Sequence, residues 1–83
     1  MKLCDFIGCA FSKITEFPEM IRIIDYKNSI IEDFYNEPVW AYGNCVNEID
    51  TYIMSKRLEK YYIYNICGMF QTANQELNII VEE

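Results

Sequence analysis

The sequence predicts an α+β fold in the order α-β-β-α-β-β, with an antiparallel sheet of about four strands and two helices packed on one face. Two segments, 2–14 and 46–59, space their apolar residues at helical intervals. Four others, 19–26, 30–35, 61–70 and 77–81, are rich in Ile, Tyr and Phe and alternate as strands do. The chain has 83 residues, of which 52% are hydrophobic, so residues 1–83 are read as one small domain able to form a core.

In KLCDFIGCAFSKI, Leu3, Phe6, Ile7, Ala10, Phe11 and Ile14 form one stripe, with Lys2, Asp5, Ser12 and Lys13 away from it. Phe17-Pro18 ends the segment, because a residue before proline avoids the α region. In EMIRIIDY, Ile21 and Ile23 alternate with Met20, Arg22 and Ile24. Lys27-Asn28-Ser29 then turns the chain, and IIEDFY returns as a strand.

Asn36-Glu37-Pro38 breaks that strand, Val39 to Tyr42 is a short apolar stretch, and Gly43-Asn44 turns again. Trp40 stands between these breakers, either as a lid over the sheet edge or as a binding anchor. The second helix has Val46, Ile49, Tyr52 or Ile53, and Leu58 on its apolar face, with Asn44 or Asn47 as its N-cap. Glu48 and Asp50 fall at its start and Lys56, Arg57 and Lys60 at its end, as the helix dipole favours. Within YYIYNICGMF, Gly68 marks a bulge or a strand end. Residues 71–75 form a loop, and Leu77, Ile79 and Val81 of the last strand point inward.

Thirteen Asp and Glu against seven Lys and Arg leave a charge of −6, which disfavours direct binding to nucleic acid. Such a surface suits a basic protein partner or simple solvation. The chain has no histidine, the commonest catalytic base. Its neighbouring carboxylates do not converge: Glu32 and Asp33 point to opposite faces of a strand, and Glu48 and Asp50 do not face each other on a helix. Gly8, Gly43 and Gly68 are too far apart for a phosphate-cradling loop. No catalytic role, cofactor or metal is expected. Cys4, Cys9, Cys45 and Cys67 form no CxxC pair, so a zinc site is not expected and buried free thiols are. No signal peptide or membrane span is evident, and the expected location is the cytoplasm of a host cell.

MIRIIDYKNSII, a following helix and a close on LNIIVEE resemble a loose class of small proteins of phages and mobile elements of gut Firmicutes. Some acidic members of that class act against host defence, as anti-CRISPR proteins do. The resemblance implies a phage-encoded inhibitor that binds a host nuclease complex, a CRISPR effector being the candidate. It supplies no shared motif from which site residues can be placed.

The candidate contact residues come from the sequence itself. They are Asp25, Glu32, Asp33, Glu37, Glu48 and Asp50 as an acidic face for a basic nucleic-acid-binding groove, with Trp40 and Tyr42 as anchors. The alternative is a small structural or oligomeric module of a mobile element with no inhibitory role, in which a homodimer would cover apolar surface.

Overall fold

The computed structural model describes residues 1–10, 18–27 and 29–83. Helix α1, Leu3–Asp5, runs directly into a π-helical turn, Phe6–Ala10. The strands are β1 (Met20–Asp25), β2 (Ile30–Tyr35), β3 (Pro38–Ala41), β4 (Asn44–Asn47), β5 (Asn65–Gln71) and β6 (Glu76–Glu82). Helix α2, Thr51–Arg57, lies between β4 and β5 and is followed by a 3₁₀ turn, Glu59–Tyr61. The expected continuation of the first helix through Ile14, its stop at Phe17 and the turn position Asn28 lie outside the described residues.

The α+β class holds, with a four-stranded sheet in the order β2-β1-β6-β5 and a separate two-stranded sheet, β3-β4. The larger sheet is mixed, not antiparallel throughout. Its two hairpins, β1–β2 and β5–β6, are antiparallel, but they meet along a parallel pair, β1 with β6. MIRIID and ELNIIVE are the most deeply buried of the four strands, as strands flanked on both edges are. Each is the inward strand of its hairpin, and in that arrangement the two run in the same direction.

Strand parity then sets the core. Ile21 and Ile23, Phe34, and Leu77, Ile79 and Val81 share one face and are buried. Leu3, Phe6 and Ile7 of the N-terminal segment, and Ile49, Ile53, Met54 and Leu58 of the α2 region, close over them as one cluster. Both helical segments therefore cover the same face of the sheet. The expected break at Gly68 appears as a register shift between Ile66 and Gly68.

Helix α2 begins later than its periodicity suggests. Val46 pairs with Val39 in a hairpin, and Asp50 rather than Asn44 or Asn47 is the N-cap, accepting from the Tyr52 and Ile53 N–H groups at 2.9 and 3.3 Å. Tyr61 to Tyr64 precede β5 instead of forming its first half. Two thiols depart from the expected burial: Cys45, on the outer face of the small hairpin, and Cys67, beside the β5 bulge, are exposed, and Cys4 is half-buried. The Cys9 side chain lies outside the described residues. No helix among the described residues is long and apolar enough to cross a membrane.

Candidate functional site at the β3–β4 hairpin

The hairpin has a packed side and a bare side. Val39 and Val46 are cross-strand partners, and with Ala41 they pack against the core. Trp40 and Cys45, the next pair along, face away from it as alternation requires. Trp40 is 78% exposed, so it does not act as a lid over the sheet edge.

The base of the hairpin is tied on both sides. Glu48 N–H donates to the Glu37 carbonyl at 2.8 Å, Asn47 Nδ2 donates to Asn36 Oδ1 at 2.7 Å, and Asn36 N–H donates to the Glu19 carbonyl at 2.9 Å. At the tip, Tyr42 and Gly43 have φ of 54° and 78°. Positive φ at both central residues is what a two-residue hairpin loop of type I′ requires. Glycine adopts it without strain, but a tyrosine rarely does. The Tyr42 ring meets Tyr52 of α2 edge-on, with centroids 4.7 Å apart, and Lys56 Nζ lies 5.5 Å from the Tyr52 centroid. A tyrosine in a strained turn, turned toward a second exposed tyrosine, forms an exposed aromatic pair at the hairpin tip.

The six acidic candidates do not form one face. Asp33 makes a two-pronged bond to Arg22, at 2.8 Å to Nε and 3.1 Å to Nη2, across the β1–β2 pair. That hydrogen bond is the largest cause raising the Arg22 pKa above its ordinary value. Glu48 is buried, accepts the Tyr35 N–H at the outer edge of β2, and takes Arg57 Nη1 at 3.1 Å. Glu32 lies 4.0 Å from the same guanidinium, which also stands 5.3 Å from the Phe34 ring centroid. Asp50 caps α2, and Asp25 accepts the Lys27 N–H at 2.8 Å in the turn after β1. Glu37 alone of the six is exposed, at the foot of the hairpin.

The structure therefore leaves Trp40, Tyr42 and Glu37 exposed on one hairpin, sets Tyr52 against Tyr42, and gives the other five carboxylates contacts within the fold. Tyr52 was legible only as one of two choices for the helix stripe, and burial of Ile53 turns Tyr52 outward. Arg57 drew attention only as part of a basic helix end, whereas it bridges α2 to Glu48 and Glu32. Among the described residues, no three His, Cys, Asp or Glu side chains are grouped as metal ligands. Comparison with family models, curated proteins and solved structures finds no match to this chain.

Proposed function

We propose that the protein is a non-enzymatic binding protein that docks on a basic protein surface through the β3–β4 hairpin. Following the resemblance, the partner is the nucleic-acid groove of a host defence nuclease. The observation that carries the reading is Trp40, a large aromatic 78% exposed on a hairpin whose base and inner face are already held. Little further ordering is needed to bury it, so most of its contact energy goes into affinity. An indole face also takes an arginine guanidinium well. Glu37 at the foot of the hairpin and the charge of −6 favour encounter with a basic surface. The charge contribution rests on exposed acids such as Glu37 and Glu19, because Asp33, Glu48 and Asp50 have internal partners.

Binding of the full chain to a CRISPR effector nuclease, with and without its nucleic acid loaded, tests this. The empty effector should bind, less tightly as salt rises, and the loaded effector should not. Trp40→Ala should weaken binding about tenfold or more, with an unchanged unfolding midpoint. Glu37→Gln should slow association and leave dissociation nearly unchanged. Unaltered binding by Trp40→Ala sinks the hairpin as the contact, and failure to bind any effector sinks the nuclease as the partner. The alternative, a self-associating structural module, is favoured by a different surface, the outer edge of β5.

A further inference from the structure

We infer that the outer edge of β5 pairs with β5 of a second copy of this chain, joining the two sheets across a two-fold axis at Met69. The two edges of the large sheet are treated differently. At β2, the edge N–H of Tyr35 is occupied by the Glu48 carboxylate, and the strand carries Glu32 and Asp33. A charged, capped edge resists further strand addition. At β5, the described residues cover the beginning: Ile66 N–H donates to the Met1 carbonyl at 2.8 Å, and Leu3 N–H donates to the Tyr64 carbonyl at 2.9 Å. From Cys67 to Gln71 no described residue pairs with the outer edge. Met69 and Phe70 there are 45% and 50% exposed.

Charge selects a second copy as the occupant. No charged residue occurs between Lys60 and Glu76, in a chain whose net charge is −6. Two copies meeting at β5 bring no acid against acid along the strand. The charges flanking the strand are Lys2, bridged to Asn65 on the outer side, and Glu82, the β6 partner of Asn65, at one end, and Glu76, bonded through its carbonyl to Thr72 N–H, at the other. An antiparallel two-fold directs Lys2 of one copy toward the Glu76 end of the other.

The free stretch, Cys67 to Gln71, is centred on Met69, so the two-fold pairs Met69 with itself and Phe70 with Gly68 of the second copy. Directly opposed residues share a face. Gly68 leaves that face bare beside Ile80, whose Cδ1 lies 3.3 Å from where a Cβ would stand. Gly68 and Ile80 together form an apolar seat for the Phe70 ring, the cross-strand aromatic cover that edge glycines receive. The strand ends at Gln71, before the second copy would run into Met1 and Lys2.

Sedimentation equilibrium of the full chain in reducing buffer tests this across a dilution series. A dimer that dissociates on dilution is expected, in keeping with a small interface. Met69→Lys and Met69→Glu each place like charges opposite one another and should raise the dimer dissociation constant at least about tenfold, with unchanged circular dichroism. An equimolar mixture of the two should recover the dimer, because only a two-fold at residue 69 sets the lysine against the glutamate. A wild-type chain that stays monomeric at every concentration overturns the proposal and leaves the edge to a strand of another protein. So do variants that dimerise as well as wild type, or a dimer lost in Trp40→Ala. Nuclease binding by the hairpin is measured on a separate surface, so neither reading falls with the other.

Discussion

Glu37 and Glu48 flank the same hairpin, joined by a backbone bond of 2.8 Å, yet their carboxylates meet opposite fates. Glu37 faces solvent, while Glu48 is buried between the Tyr35 N–H and Arg57. Removing a buried acceptor leaves its donors unsatisfied, which costs about 1–3 kcal/mol. Glu48→Ala should lower stability by roughly that amount in urea unfolding, since among the described residues Arg57 would keep Glu32, at 4.0 Å, as its one carboxylate partner. Nothing comparable is expected of Glu37→Gln. The Arg22–Asp33 pair adds no pH dependence through Arg22. Its pKa is raised, so the stability linked to it is fully present below the ordinary arginine value and is lost only as pH rises past the raised one. Opposite facing of Glu32 and Asp33 followed from strand alternation alone, but the Arg22–Asp33 partnership did not, because it depends on a register shift between Ile23 and Ile24. The Glu48 site did not, because its donors come from β2 and α2, which only the folded chain brings together.

Among the elements, the β3–β4 hairpin departs most from local rules. Its turn places a tyrosine where asparagine or glycine is favoured. Left-handed backbone at a bulky residue costs about 1–2 kcal/mol. The edge-on contact with Tyr52, exposed on both sides, returns about 0.5 kcal/mol, so strain wins. Tyr42→Asn should therefore raise the thermal midpoint, with a net gain of up to about 1 kcal/mol, and weaken partner binding. A lower midpoint would show that the Tyr42–Tyr52 contact outweighs the strain. Val39 to Tyr42 and the Gly43-Asn44 turn were legible as an apolar stretch and a reversal. The returning strand was not, because Val46 fits a helix stripe and a strand face equally well. Asp50 decides between them by capping the helix four residues later.

At the scale of the molecule, one cluster joins both helical segments to one face of the sheet, and Leu58 is fully buried within it. Truncating such a side chain removes its burial and leaves a cavity, at a cost of about 2–5 kcal/mol. A domain of this size has a thin margin, so Leu58→Ala should shift the urea midpoint far down or leave the chain unfolded at 37 °C. Far-UV circular dichroism is the suitable probe, because Trp40 is exposed in the native state and its fluorescence changes little on unfolding.

The α+β class, the approximate places of the four sheet strands, the inward residues of the last one and a bulge or strand end at Gly68 were all determined by the sequence, because each depends on spacing between near neighbours in the chain. Tertiary structure alone decided that the hairpins meet along a parallel pair, that one sheet edge is capped while the other meets no described residue from Cys67 to Gln71, and that five of six candidate carboxylates have partners within the fold. Those outcomes depend on which distant groups compete for the same edge, face or charge. Side-chain periodicity carries no information about that competition.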